Sequence, residues 1–317
     1  MVYKQVLVPL DGSPLSAQVV PYTQFLSVSI GIDVELFHVL PSVSNRMHFL
    51  VDAGYGSSPN IQRIAQSILS FDQMENVQAR LRQAAQEKLD QIAASFPEAG
   101  EAMVRSVVGE GHPAEAIAAE AAKLPGTLLV MTSHGRPGSV RWWLGSVTDK
   151  VLHLSSAPTL VIPPHNGSAD VPASIEGIIL PLDGSVLAEA AIPHAAFLAK
   201  TFQIPVRVIQ AIYLEEAWWG GLGQEEWNEP IAEVKKYAKK YVDDVAQRLQ
   251  ADGVGEAEGE VAQAHPAVAI SEAAARYARP LIVMSTYGHG GMARLTRGSI
   301  ANRVLQRGMV PILLVHP

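Results

Sequence analysis

The chain has 317 residues, no cysteine, 48% hydrophobic and 17% charged residues, and a net charge of −7. That length suits about two domains, with ample apolar material for their cores. Disulfides, thiol catalysis and thiolate metal sites are excluded, and the acidic balance argues against a general nucleic-acid binder.

The chain enters a strand-like run at once, "MVYKQVLVPLDGS". It lacks the basic start and long apolar stretch of a secretory leader. No apolar run approaches the ~18 residues of a membrane span. The expectation is a soluble, cytoplasmic protein that does not bind membranes.

In chain order, the first copy of an internal repeat predicts strands at Gln5–Pro9, Asp33–Leu40, Met103–Val108, Thr127–Met131 and Thr159–Ile162. Helical patterns fall between them. Ser13-Pro14 reads as a cap followed by a first-turn proline. A long helix is expected over about 61–96, another from Pro113 and a last one from Ser146. Strands apolar on both faces, alternating with helices, predict a parallel sheet covered on both sides.

"VLVPLDGS" at Val6–Ser13 returns as "IILPLDGS" at Ile178–Ser185, so Asp11 maps to Asp183 at an offset of 183 − 11 = 172. Further on, Gly145 meets Gly298 at 298 − 145 = 153. The difference, 172 − 153 = 19, marks an insertion in copy one between Leu40 and about Gln73. "PPHNGSADVPAS" reads as a linker. Hence domain 1 is expected at 1–163, the linker at 164–175 and domain 2 at 176–317.

"MTSHGRPGSVRWWLGSV" (Met131–Val147) and "MSTYGHGGMARLTRGSI" (Met284–Ile300) each follow an apolar strand and share Gly-x9-Gly-Ser. A glycine after a strand lets backbone approach a ligand. A Gly-Ser helix start leaves N–H groups unpaired and suits an anion such as phosphate. The plain alternative is a strand end and a capped helix, with Asp11 a turn residue. Two copies at one fold position favour an ancestral ligand site.

On these residues the chain resembles the universal stress protein family in its tandem form. The resemblance implies two five-stranded parallel α/β domains, similar to adenine nucleotide α-hydrolases, with helices on both faces. In that family some members bind ATP and others bind no nucleotide; where ATP binds, Mg2+ would come with the nucleotide. Pro9, Leu10, Asp11, Val39, Met131, Thr132, Gly135, Gly145, Ser146, Val147 and Thr148 would line the ATP site in copy one. Pro181, Leu182, Asp183, Ala211, Met284, Ser285, Gly288, Gly298, Ser299 and Ile300 would do so in copy two. The family's first motif glycine is Thr132 here and Ser285 in copy two. Thr148 maps to Ala301, and Gly109 and Gly111 map to Ala262 and Ala264. Copy one is therefore expected to bind more tightly.

No phosphate-loop, dinucleotide or serine-elbow motif is present, and no histidine spacing suggests a metal centre. Three functions are weighed: a nucleotide-binding stress-response protein, a slow ATPase, and a tandem interaction module without nucleotide. Apolar last strands, Thr159–Pro163 and Ile312–Pro317, are expected to pair the copies as a pseudo-dimer. Association of two chains into a homodimer is left open.

Overall fold

A computed structural model describes residues 2–41, 71–97, 102–133, 144–164, 174–213, 228–286, 299–307 and 310–317. Copy one runs β1 (Gln5–Pro9), a 3-10 turn (Ser16–Val19), α1 (Val20–Ile30), β2 (Asp33–Leu40), α2 (Phe71–Ala93) and β3 (Val104–Glu110). It continues with α3 (Pro113–Ala122), β4 (Thr127–Thr132), α4 (Ser146–Leu154) and β5 (Thr159–Ile162). Copy two runs β6 (Gly177–Pro181), α5 (Val186–Glu189), α6 (Ile192–Phe202), β7 (Val206–Ala211) and α7 (Asn228–Ala251). It ends with β8 (Ala257–Ala262), α8 (Pro266–Ala274), β9 (Pro280–Ser285), α9 (Ser299–Arg307) and β10 (Ile312–Val315).

All ten strands form one sheet in the order β3-β2-β1-β4-β5-β10-β9-β6-β7-β8. Neighbours within each copy are parallel. The apolar runs explain this: every residue of β4 and of β9 is buried, which requires helices on both faces. At the centre β10 pairs antiparallel with β5, with Ile312 opposite Val161 and Leu313 opposite Leu160. These are the two last strands expected to join the copies. Each would otherwise present an apolar edge.

On one face a single core runs through both copies, from Tyr3, Val6 and Leu36 through Leu160 and Leu313 to Ile178 and Val208. On the other face copy one has a cluster around Leu7, Phe37 and Leu129, and a second cluster, mostly of copy two, takes in Leu152 and Val161 of copy one. Among the described residues, no helix is long and apolar enough to cross a membrane.

Two local expectations change. Ser13 makes a turn contact, its Oγ accepting from the Ser16 N–H at 3.1 Å, but it is not the cap. The element that follows is a 3-10 turn with Leu15 at the cap position and no side-chain cap bond, and regular helix begins only at Val20. Pro21 then occupies the first turn, where a missing N–H does no harm. The third strand begins at Val104 and extends to Glu110, two residues beyond the predicted Val108.

Candidate functional site: a crevice at the strand switch point

The chain leaves β1 toward β2 on one side, and β4 lies on the other, so the switch point falls between β1 and β4. Their pairing stops at Leu7 opposite Leu129. Beyond it β1 stays with β2 to Pro9 opposite Phe37, while β4 stays with β5 to Thr132 opposite Ile162. Pro9 carries no N–H, and it sits where the β4 ladder has already opened. The strands part there, and ligands of open α/β sheets enter at such a crevice.

A cleft of about 140 Å3 lies there. Its apolar wall is Pro9, Leu10, Phe37, Val39, Ile117, Met131 and Val147; its polar rim is Asp11, Ser16, Thr132 and Thr148. Pockets that enclose a drug-sized ligand span roughly 300–1,000 Å3. This cleft is smaller than that range. Pro9, Leu10, Asp11, Val39, Met131, Thr132, Val147 and Thr148 were all expected at the site, and the fold brings them together here. Phe37, Ser16, Pro113 and Ile117 were not expected and also line it. Phe37 was legible from the two-residue period that puts it on the Val39 face. Pro113 and Ile117 lie one turn apart on α3.

Several groups are held in place. Leu10 donates its N–H to Phe37 O at 2.8 Å, and its carbonyl accepts from His38 Nδ1 at 2.7 Å. Asp11 Oδ1 accepts from the Ser13 N–H at 2.8 Å. The turn role weighed for Asp11 is therefore real. Gly12 between them has φ +82°, a conformation that glycine adopts without penalty. Lys88 Nζ donates to Gly12 O at 2.5 Å and ties this loop to α2.

Thr148 is buried, and its hydroxyl donates to Thr132 O at 2.9 Å. That bond fastens the start of α4 to the end of β4. The hydroxyl hydrogen expected to meet a phosphate is thus engaged internally. Its oxygen lone pairs remain for a ligand donor. Ser146 lies at the first position of α4. Gly145 caps that helix with φ −59° and ψ 145°. Its glycine is not there for a left-handed turn, so only close approach can require it. Asp149 in the first turn places a negative charge near the helix start.

In copy two, Pro181, Leu182 and Asp183 follow the same course at the end of β6, and Leu182 N–H bonds Ile209 O at 2.9 Å as Leu10 bonds Phe37. Asp183 Oδ1 accepts from both the N–H and the hydroxyl of Ser185, at 2.9 and 2.6 Å. Ala211 ends β7, and Met284 and Ser285 end β9, both buried. Ser299 and Ile300 open α9. Ala301 cannot make the Thr148 tether. The floor differs as well. Phe37 lies against Gly109, where an added Cβ would come within 2.6 Å of the ring. Copy two has Ile209 and Ala262 at these positions, a smaller residue facing a larger one.

Gly135, Gly288 and Gly298 lie outside the described residues. So do His134, Tyr287, Trp142, Trp143, Trp218, Trp219, Trp227, Arg136, Arg141, Arg294 and Arg297. Among the described residues, no three His, Asp or Glu side chains gather as a metal site.

The family comparison agrees with this architecture. Residues 2–163 and 175–316 each match the universal stress protein family. A universal stress protein of Methanocaldococcus jannaschii is 32% identical over 148 residues, spanning 44% of this chain and 80% of the relative. One from Mycolicibacterium smegmatis is 24% identical over 197 residues, 60% of this chain and 62% of the relative. In fold, the chain is similar to the crystal structure of a universal stress protein from Archaeoglobus fulgidus. The TM-score is 0.60 at 16% identity, with 98% of each chain covered. Two matches, each spanning one half of a doubled sheet, lead to one conclusion: the chain belongs to the universal stress protein family and carries its domain in tandem.

Proposed function

We propose that this protein binds an adenine nucleotide, ATP, in the cleft of copy one and reports nucleotide state rather than turning over a substrate. The observation that carries the reading is the crevice between β1 and β4. It is an apolar slot for a flat base, with a polar rim beside the first turn of α4. Phe37, Val39, Met131 and Ile117 would hold the base by burial and ring contact. Asp11 would face ribose hydroxyls, and the N–H groups at the start of α4 would face phosphate. Magnesium would arrive with the nucleotide. No base–nucleophile pair is assigned, and signalling by occupancy needs none.

Copy two is the weaker site in this reading. It lacks the Phe37 floor and the Thr148 tether, although it keeps the aspartate loop. A copy two without nucleotide would then serve as an interaction half, which is the second reading.

Mass spectrometry of small molecules released from the purified, denatured protein tests the proposal. ATP or ADP near one per chain is the expected result. Calorimetry then compares the wild type with Val39→Trp, which fills the slot. Loss of ATP binding by a hundredfold or more is expected in the folded variant. No released nucleotide together with no ATP heat in the wild type would leave the interaction module as the function.

A further inference from the structure

On the face opposite the cleft, a polar contact joins the two copies within a largely apolar seam. Tyr3, just before β1, has its phenol oxygen 2.7 Å from Nδ1 of His194 on α6. Tyr3 is fully buried, and its ring also meets the edge of Phe197 at 5.6 Å. Nearby, Phe25 of α1 packs on Phe202 of α6 at 4.9 Å. The internal repeat would place a second such pair at Ile175 and Tyr22, because 3 + 172 = 175 and 194 − 172 = 22. Ile175 is buried and apolar. The repeat-related position therefore carries no second contact of this kind.

The chemistry of the Tyr3–His194 contact depends on proton count. Tyr3 has His194 as its one hydrogen-bond partner among the described residues. A neutral imidazole accepts the phenol hydrogen at Nδ1. A protonated imidazole carries hydrogens on both nitrogens and can accept none. The imidazolium can still donate to the phenol oxygen, but the buried phenol hydrogen then loses the acceptor it had at Nδ1. His194 is also the third residue of α6, where the helix dipole opposes a positive charge.

We infer that the His194–Tyr3 contact is an acid-sensitive latch that holds copy one to copy two when His194 is neutral and loosens the seam when it is protonated. The surroundings support this. Burial pushes His194 below the ordinary histidine value of 6.5. Tyr3 and Tyr22 stay neutral, because burial raises both. Burial is the influence on His194, with no charged partner contributing beside it; Glu176 and Arg279 pair with each other and Lys4 is exposed. No carboxylate bonds the His194 ring among the described residues.

Because the value is lowered, the folded chain favours the neutral form. Its contribution is complete above the unfolded pKa of about 6.5 and is lost as pH falls through the lower, folded value. Each unit of lowering is about tenfold in the closed-to-open ratio.

Hydrogen exchange at the seam strands, corrected for intrinsic rates, tests it. Peptides covering Thr159–Ile162 and Ile312–Val315 are followed from pH 7.5 to 5 in the wild type and in His194→Gln. Glutamine accepts the phenol hydrogen and does not titrate. The wild type should lose more protection at the seam than His194→Gln, by about tenfold for each unit that burial lowers His194, with β1 and β6 less affected. Parallel profiles in the two proteins would overturn the proposal. A titration of the wild-type His194 ring by NMR needs no variant. A midpoint at or above 6.5 would overturn it equally.

Discussion

Thr148 shows how a residue's place changes its meaning. In the motif it is a hydroxyl two positions after Ser146, ready for phosphate. In the fold it donates to Thr132 O and fastens α4 to β4. Thr148→Val keeps the shape and leaves that buried carbonyl without this donor, so a loss of about 1–2 kcal/mol is expected in urea unfolding. ATP affinity should change only a few-fold if the hydroxyl serves the scaffold alone. Gly145 tests the reverse case. Its φ of −59° suits any residue, so Gly145→Val should fold with little change in stability. It should still abolish ATP binding by calorimetry if the backbone approaches phosphate there. Unchanged affinity in the folded variant would make Gly145 an ordinary helix-start residue.

Between elements, the Phe37–Gly109 contact sets the cleft floor. Gly109→Ala would press a Cβ to 2.6 Å from the Phe37 ring. Overpacking of that kind costs about 1–3 kcal/mol. Phe37→Ile alone would leave a gap. Together they recreate the Ile209–Ala262 pair of copy two, so the double variant should be more stable than the sum of the single effects. Thermal unfolding of the four proteins measures that coupling, and strict additivity would show that the two positions do not share space. A second inter-strand case is Glu35, buried on β2 beside Arg105 of β3. Burial, the largest influence, raises its pKa despite the guanidinium. A carboxylate with a raised folded pKa loses stability as pH rises through that value. Glu35→Gln should therefore be neutral or stabilising at pH 7, and the difference should vanish in acid. Urea midpoints at pH 7 and 4 compare the two proteins.

For the whole molecule, the central event is β5 meeting β10. Each copy alone would expose a four-residue apolar edge, Thr159–Ile162 or Ile312–Val315. Such edges pair with whatever strand is offered. The halves 1–163 and 174–317, prepared separately, should therefore associate one to one, or self-associate through the same strands. Sedimentation of each half and of their mixture checks this. Monomeric halves that ignore each other would show that the seam depends on the linker.

Much of this was legible in the residues. Apolar runs of strand length, alternating with helical periods, impose a two-sided parallel sheet, because only burial on both faces satisfies them. The doubled PLDGS imposes two copies, and glycine after Asp11 signals a turn that other residues resist. The last strands announced their need for a partner by being apolar without a covering element. Other features were not legible, because they depend on distance across the sheet. Only the tertiary structure set Phe37 against Gly109, Lys88 against the Asp11 loop and Thr148 against the β4 carbonyl. It alone put Tyr3 beside His194, 191 positions away. A sequence states which groups can bond and with what periodicity. Which of them spend their bonds on the scaffold, and which still face the crevice, is decided by packing.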